Sequence, residues 1–281
     1  MDKIEMISKL EKEYLPLDKS VVYRTQNIKN IPPIEHRRGG KLAYSEWAHV
    51  IGLFQTLIFT HVQRPESNIV LDVGCGTGLL GIACEPYVKN GGRYIGLDVS
   101  ADDIDFCKSH YTMDHYEFIH LDAQNKFYNA TSGLTDCKWP IEDNFVDLVT
   151  ALSVWTHFNE SDARRYMAEV ERVLKDGSYA IITCFHKDDL YEATLHSRKN
   201  AVSEFHGTNQ MNWVFNTPAY DSSDWFCTEQ ATIPEQAIAI STQGLESLFS
   251  GLRLSLEKIH VGNWKETPGL FFQDIMIIKK N

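Results

Sequence analysis

The stretch IVLDVGCGTG, residues 69–78, decides the fold of this 281-residue chain. Its first half has the mostly apolar character of a β-strand that is covered on both faces. Its second half places three glycines at alternate positions, which lets the backbone turn sharply into a predicted helix that ends near Tyr87. A second strand pattern follows at residues 94–98. Two strands joined by a crossover helix pair in parallel, so the stretch opens a βαβ unit.

Strand and helix patterns continue to alternate toward the C-terminal end. An amphipathic helix over residues 166–174 is predicted to end at Asp176-Gly177, because glycine readily adopts the left-handed conformation that closes a helix. Ser100 and Asp103 have the spacing of a capping box, which predicts the start of the helix after the second strand. The remaining strand patterns lie at residues 117–121, 145–152, 179–185, 254–261 and 271–278.

These elements together predict an α/β fold. We expect a Rossmann-like, doubly wound sheet of seven strands, mostly parallel with an antiparallel last strand. About ten residues separate the last two strand patterns, so they should form an antiparallel hairpin. The chain accordingly divides into a helical N-terminal extension (1–66), a cofactor-binding core (67–185), a cap insertion for substrate recognition (186–249) and a C-terminal hairpin that completes the sheet (250–281).

The extension and the insertion lie outside the alternating pattern. The extension has an apolar stripe at helical spacing that leaves out His49, Gln55 and Thr56 and consists of Trp47, Val50, Ile51, Phe54, Leu57 and Ile58. The insertion is polar but rich in aromatic residues, and it contains Pro218 and Pro234. Several aromatic side chains could either line a pocket for the substrate or belong to the hydrophobic core: Tyr44, Trp47, Trp213, Trp225 and Trp264.

The composition argues against several classes of protein. With 38 acidic and 27 basic side chains the net charge is −11, so nucleic acid is not an expected partner. The six cysteines lie singly, without histidines at metal-ligand spacing, which predicts reduced thiols in a cytoplasm and no metal site. The first twenty residues lack the apolar region of a signal peptide, and no apolar run approaches 18 residues. We therefore expect neither export nor a membrane anchor, and the oligomeric state stays open.

Residues that directly follow the strands are the candidates for a ligand site, because ligands of open α/β sheets bind beyond the carboxyl ends of the strands. After the first strand, the glycines of residues 74–78 and the N–H groups of the next helix suit an anionic group such as a carboxylate. Asp98 follows about twenty residues later, where a carboxylate can accept both hydroxyls of a ribose. Asp122 and Ala123 are placed to accept a hydrogen bond from the exocyclic amine of a purine. Helix capping is the alternative role for both carboxylates.

Five segments resemble, in order, the motifs of class I S-adenosylmethionine-dependent methyltransferases: LDVGCGTG (71–78), GLDVS (96–100), HLDA (120–123), PIEDNFVDLVTALSVWTHF (140–158) and RVLKDGSYAIITCF (172–185). The resemblance spans residues 68–185 and implies S-adenosylmethionine as the cofactor. By position, the resemblance implies that the methionine portion of the cofactor is lined by Gly74, Cys75, Gly76 and Gly78, with Asp72 supporting their loop. It implies that the ribose is held by Asp98 and Val99, and the adenine by Asp122 and Ala123. It also implies that the sulfonium is flanked by Ala151, Leu152 and Ser153.

A different cofactor is the main alternative. The glycines of residues 76–81 by themselves form the fingerprint of an NAD-binding oxidoreductase, and Asp98 stands where such an enzyme keeps its ribose-binding acid. Two features favour S-adenosylmethionine: the glycine pattern already begins at Gly74, and Asp122 supplies an acceptor for adenine. A non-catalytic module that binds S-adenosylmethionine but has no acceptor site is a further alternative.

The methyl acceptor is predicted to be a small molecule, because the ending GNW…GLFFQDIMIIKK is similar to family members that methylate small molecules. The Asn/Asp-Pro-Pro-aromatic turn that usually serves planar amide and adenine nitrogens is replaced by Leu-Ser-Val-Trp at residues 152–155. A hydroxyl of a sugar or secondary metabolite is therefore favoured. A hydroxyl must lose a proton, and His157 after the fourth strand is the candidate base. His186 and His260 are the alternative bases.

Overall fold

The computed structural model describes residues 28–39, 41–121 and 138–281. Asp122 and Ala123 lie outside these residues, so their role at the adenine stays a prediction. The described strands are β1 (Ile69–Val73), β2 (Arg93–Asp98), β3 (Tyr116–His120), β4 (Val146–Ala151), β5 (Leu174–Lys187), β6 (Phe215–Pro218), β7 (Trp225–Thr228), β8 (Ile238–Ser241), β9 (Leu254–His260) and β10 (Asp274–Lys280). The described helices are α1 (Tyr44–His61), α2 (Leu79–Cys84), α3 (Ala101–His110), α4 (Glu160–Val173), α5 (Asp189–Leu195) and α6 (Thr242–Ser247).

The core of the fold is a sheet of seven strands in the order β3-β2-β1-β4-β5-β10-β9. Strands β1 to β5 pair in parallel. Strand β10 is antiparallel to both β5 and β9, and β9 and β10 form the closing hairpin. The predicted α/β class, with a mostly parallel core sheet and an antiparallel last strand, is confirmed.

Three further strands, β6 to β8, come from the insertion and bring the sheet to ten strands, three more than predicted. Strand β8 pairs in parallel with residues 185–187 at the end of β5, and β7 and β6 add to it in antiparallel order. The sequence did not predict them because strands of four residues are too short to present a clear alternation. The end of β5 thus carries the insertion directly on the core sheet.

Helices cover both faces of the core sheet, as a doubly wound fold requires. One face packs against α1, α2 and α3, and Val70 of β1 points to this side. The other face packs against α4 and α6, and Leu71 of β1 points there. Alternate strand residues therefore enter two separate apolar clusters, which explains the mostly apolar strands.

The apolar stripe predicted for α1 is buried at all six positions. One detail of the prediction is wrong, because Gln55 is buried rather than outside the stripe. Its side-chain Nε2 donates to the Ala83 carbonyl at 3.5 Å, and its backbone carbonyl accepts the Tyr87 hydroxyl at 3.0 Å. The buried side-chain amide is tolerated here because α2 supplies a carbonyl that accepts from it.

The predicted end of α4 at Gly177 is also wrong. The helix ends at Val173, and the buried Leu174 already begins β5. Gly177 does have a left-handed φ of 77°, but it lies within β5, next to a shift in register between β4 and β5. Glycine here allows an irregularity in a strand instead of closing a helix. The Ser100 prediction is confirmed, since its hydroxyl accepts from Asp103 N at 3.3 Å and caps α3.

Candidate cofactor and active site

The glycine loop after β1 is tied directly to the end of β2. Gly74 N and Cys75 N both donate to the Leu97 carbonyl, at 2.8 and 2.9 Å. Gly74, Gly76 and Gly78 all have left-handed φ values, of 68°, 50° and 88°. Residues with a side chain rarely adopt this conformation, so the alternating glycines fix the path of the loop at the carboxyl edge of the sheet.

Two of these glycines are also required by their neighbours. A Cβ at Gly74 would lie 2.4 Å from Cγ2 of Val154, and a Cβ at Gly78 would lie 2.5 Å from the Tyr111 ring. The Tyr111 hydroxyl in turn donates to the Thr77 carbonyl at 2.8 Å. The loop is therefore packed closely against the segment after β4 on one side and the segment after α3 on the other.

We expect Gly74→Ala to lower the free energy of unfolding by about 2–3 kcal/mol. The new Cβ would be strained at a left-handed φ and would also overlap with Val154. Gly52→Ala is the matched control: Gly52 lies in α1, and a Cβ there meets no atom within 4 Å. That variant should gain about 0.5–1 kcal/mol from helix propensity. Urea unfolding of both proteins measures the difference, and equal stabilities would contradict the packing described here.

Asp98 closes the loop from the end of β2. Its Oδ2 accepts Gly76 N–H at 2.7 Å, and its Oδ1 accepts Ser100 N–H at 2.8 Å. Burial raises the pKa of this carboxyl, and the hydrogen bonds from Ser100 and Gly76 oppose the rise. Each carboxylate oxygen keeps a second lone pair, so Asp98 can also accept the two hydroxyls of a ribose.

Asp72, the acid that precedes the glycine loop, makes its hydrogen bonds to neighbouring strands. It is fully buried in β1, where its Oδ2 accepts the Tyr94 hydroxyl at 2.6 Å and its Oδ1 accepts the Thr150 hydroxyl at 2.7 Å. Burial raises its pKa to about 7. The contacts of Asp72 thus join β1 to β2 and β4, and its support of the glycine loop stays a prediction.

Two thiols approach the carbonyl of Gly76 from opposite elements. Cys75 Sγ lies 3.6 Å and Cys107 Sγ 3.3 Å from this oxygen. The hydrogen bond with Cys107, together with burial, holds the pKa of the Cys75 thiol well above its usual value. Cys75 is therefore a neutral thiol, and both side chains pack against the loop at the Gly76 carbonyl.

A segment of the N-terminal extension lies against the same loop, and sequence reasoning missed it. This N-terminal strap, residues 34–38, accepts the Thr77 hydroxyl on the His36 carbonyl at 2.6 Å. The His36 ring stacks on Phe106 of α3 at 4.1 Å, and Arg38 forms an ion pair with Asp103 at 2.7 Å. The sequence indicated no role for these residues, because nothing local indicates that they contact α3.

The segment after β4 is held by a closed ring of hydrogen bonds. Ser153 has a left-handed φ of 64°, and its N–H donates to Thr183 Oγ1 at 2.7 Å. The Thr183 hydroxyl donates to Gln273 Oε1 at 2.6 Å, and Gln273 Nε2 donates back to Ser153 Oγ at 2.7 Å. The ring fixes Ser153, together with the buried Ala151 and the partly buried Leu152, at the edge of the sheet. Gln273 gave no signal in the sequence because its partners are distant along the chain.

His157 contacts the insertion. It ends a short 3₁₀ turn, residues 155–157, and its Nδ1 lies 2.7 Å from the Glu235 carbonyl. A carbonyl only accepts, so Nδ1 carries the proton and Nε2 carries the lone pair of the neutral ring. Burial lowers the pKa of His157. The ring is therefore neutral at pH 7, in the tautomer that a general base with Nε2 as the acceptor requires.

The two alternative histidines have other surroundings. His186 Nε2 lies 3.1 Å from Thr242 Oγ1, and burial lowers its pKa. His260 ends β9 and pairs with Ile275 of β10. Of the aromatic candidates, Trp47, Trp225 and Trp264 are buried core residues, whereas Tyr44 and Trp213 are half-buried.

The loop and the acid after β2 fit the cofactor that the motifs imply. At Gly76 a Cβ would only come into ordinary contact with Cβ of Arg38, at 4.0 Å, so the loop is less closely packed here than at Gly74 and Gly78. Asp98 lies next to that glycine with lone pairs for a ribose. A family model described as a methyltransferase domain matches residues 71–182, which contain both features.

Residues 71–182 form a class I S-adenosylmethionine-dependent methyltransferase domain. Its cofactor is S-adenosylmethionine. This assignment decides against the NAD-binding alternative, whose glycine fingerprint overlaps the methyltransferase loop.

Known relatives of the methyltransferase domain agree with the assignment. An uncharacterized methyltransferase of Schizosaccharomyces pombe is 30% identical over 163 residues, which cover 55% of this chain and 54% of the relative. A ubiquinone biosynthesis O-methyltransferase of Bradyrhizobium is 29% identical over 42% of this chain and 40% of its own length. The chain thus spans about half or less of these relatives. The PH0226 protein of Pyrococcus horikoshii has the same fold, with a TM-score of 0.53 at 20% identity over 89% of this chain and 96% of that chain.

Two features are absent from the part of the chain that the structure describes. Within residues 28–39, 41–121 and 138–281, no helix combines the length and the apolar character that crossing a bilayer requires. In the same ranges, no three side chains of His, Cys, Asp or Glu come together as metal ligands would.

Proposed function

We propose that this protein methylates a hydroxyl of a small molecule, such as a sugar or a secondary metabolite, with His157 as the general base. The observation that carries the proposal is the hydrogen bond from His157 Nδ1 to the Glu235 carbonyl. It leaves Nε2 as the nitrogen that can take a proton, in a ring that burial keeps neutral. The neighbouring Ser153 is held rigidly by its ring of hydrogen bonds.

The cofactor contacts are part of the same proposal. Gly74, Cys75, Gly76 and Gly78 would line the methionine portion, and Asp98 with Val99 would bind the ribose. Ala151, Leu152 and Ser153 would flank the sulfonium. In support, the alternating left-handed glycines keep side chains off the loop, and Asp98 retains acceptor capacity beside Gly76.

The chemistry requires little of the protein beyond alignment and proton removal. S-adenosylmethionine, when bound, supplies a methyl group on a positively charged sulfur that is already an activated leaving group. The residues of this chain align the acceptor oxygen with that methyl group and exclude water. His157 Nε2 takes the hydroxyl proton as the new oxygen–carbon bond forms.

The comparison with relatives favours oxygen over nitrogen as the acceptor atom. The Bradyrhizobium relative is named as an O-methyltransferase of ubiquinone biosynthesis. We extend only the oxygen chemistry to this chain, because its insertion, residues 186–249, lies beyond the matched residues 71–182. Turnover measured with a panel of phenols, quinols and sugars would identify the carbon skeleton of the acceptor.

We expect His157→Ala to lower kcat on a hydroxyl acceptor about a hundredfold, the lower range for loss of a general base, because the leaving group is already activated. The dissociation constant for S-adenosylmethionine should change less than threefold. His196→Ala, at an exposed histidine, is the control and should keep full turnover. Methyl transfer from labelled cofactor and calorimetry measure the two quantities. Unchanged turnover in His157→Ala would eliminate the base role.

A further inference from the structure

Glu235 is a buried carboxylate in the insertion with one oxygen that lacks a partner. It lies in a 3₁₀ turn, residues 234–236, between β7 and β8, and its side chain is only 6% exposed. Its Oε1 accepts the hydroxyl of Tyr220. Its Oε2 is fully buried and accepts no hydrogen bond in the residues that the structure describes. A buried acceptor without a donor is costly, about 1–3 kcal/mol and more for a charged group.

The charges around Glu235 do not relieve this cost. Within residues 138–281, no lysine or arginine side chain forms an ion pair with Glu235. The nearby Asp162 does have such a partner, Arg165, at 3.5 Å. Burial, and to a smaller extent the charge of Glu235, raise the pKa of Asp162. No ion pair among the described residues therefore satisfies the unpartnered oxygen, which favours a ligand group that donates a hydrogen bond.

Glu235 is also the residue that orients the candidate base. Its backbone carbonyl accepts the Nδ1–H of His157 at 2.7 Å, so the turn that carries the carboxylate also fixes the imidazole ring. Tyr220 holds the other carboxylate oxygen from a strained position, since Tyr220 and Asp221 have left-handed φ values of 54° and 59°. Strain of this kind persists where the surrounding structure imposes it, frequently at ligand sites.

We propose that Oε2 of Glu235 accepts a hydrogen bond from a second hydroxyl of the methyl acceptor, adjacent to the hydroxyl that His157 deprotonates. The acceptor class is then a compound with two neighbouring hydroxyls, a catechol or a vicinal diol. One unpartnered oxygen matches one O–H donor, whereas an ammonium group would bring three N–H donors to a single acceptor. The inference rests on the proposed function, because it needs His157 and Glu235 to face the same acceptor.

Matched acceptor pairs test the proposal: catechol against phenol, and a cis-1,2-diol against the corresponding single alcohol. Because a hydrogen bond to a charged group is lost with the second hydroxyl, we expect the KM of the wild-type protein to be about 10- to 100-fold lower for the dihydroxy member. Glu235→Gln keeps an oxygen for Tyr220 but places an N–H₂ group at the second position. It should reduce the preference to less than threefold, by raising the KM for the dihydroxy member.

The controls distinguish a failure of the Glu235 subsite from a failure of the proposed function. Glu229→Gln, at an exposed glutamate of the same insertion, should keep the full preference. Equal KM values in the wild-type protein, or a preference that survives Glu235→Gln, would overturn the subsite and leave the proposed function standing. Cofactor binding without turnover of any hydroxyl compound would overturn the proposed function and the subsite with it. If Glu235→Gln does not fold, Tyr220→Phe takes its place: it should lower the preference about fivefold, and an unchanged preference would count against the subsite.

Discussion

Asp98→Ala should weaken the binding of S-adenosylmethionine by about a thousandfold. Hydrogen bonds to a charged group contribute about 1.5–3 kcal/mol each, and two such bonds to a ribose add to about 4 kcal/mol, which corresponds to roughly three decades in the dissociation constant. The same change removes the acceptor for Gly76 N–H at 2.7 Å and for Ser100 N–H at 2.8 Å, so the glycine loop also loses its anchor.

Calorimetric titration with S-adenosylmethionine, and separately with NAD, measures this effect. Asp105→Ala is a matched control, because Asp105 is an exposed aspartate of the helix that follows Asp98. Asp98→Asn retains one oxygen that can accept Gly76 N–H and should lose less affinity than alanine. Wild-type affinity in Asp98→Ala would remove Asp98 from the cofactor site, and binding of NAD alone would contradict the methyltransferase assignment.

The elements that the sequence predicted well are those whose signals are local. Strand β1 has the bounds 69–73 that its apolar run predicted, and the left-handed glycines at 74, 76 and 78 follow from their spacing. Ser100 caps α3 through its own hydroxyl, three residues from its partner. Each of these features depends on contacts within a few residues, which a single sequence contains in full.

The errors arise where distant contacts override local preference. Gly177 has the left-handed conformation that the sequence predicted, but pairing of Leu174 with Val146 of β4 draws the residues before Gly177 into β5. Gln55 is polar and still buried, because α2 offers it a carbonyl. Strands β6 to β8 exist because β5 extends to Lys187 and offers an edge for pairing.

In the candidate site, too, the features that the sequence predicted are distinct from those that depend on distant contacts. The positions of the loop and of Asp98 follow from the order of strands, since carboxyl ends of parallel strands share one edge. Gln273 and Glu235 were not predicted, because their partners Ser153 and His157 are more than seventy residues away in the chain. The motif position of Asp72 likewise did not indicate its partners, the hydroxyls of Tyr94 and Thr150 on the neighbouring strands.

The buried Asp72 leads to a prediction about stability and pH. Its pKa is about 7 in the folded protein and near 3.8 when unfolded, so between these values the native state binds a proton that the unfolded state has released. Stability therefore falls as pH rises through this window and stays at the lower level above pH 7. One pKa unit corresponds to about 1.4 kcal/mol, which gives a loss of roughly 3 kcal/mol between pH 5 and pH 8.

Asp72→Asn isolates this contribution, because an amide keeps an oxygen for the Thr150 hydroxyl and can donate to the Tyr94 oxygen without ionising. Urea unfolding from pH 5 to pH 8 should show the wild-type protein losing about 3 kcal/mol relative to the variant as pH rises. Other titrating groups are common to both proteins, so the difference between the two curves belongs to residue 72. Parallel curves would mean that Asp72 is ionised throughout, held by the Tyr94 and Thr150 hydroxyls strongly enough to offset its burial. Curves that diverge as predicted would identify Asp72 as a neutral link between β1, β2 and β4 below pH 7, and would separate it from residues that act on the cofactor.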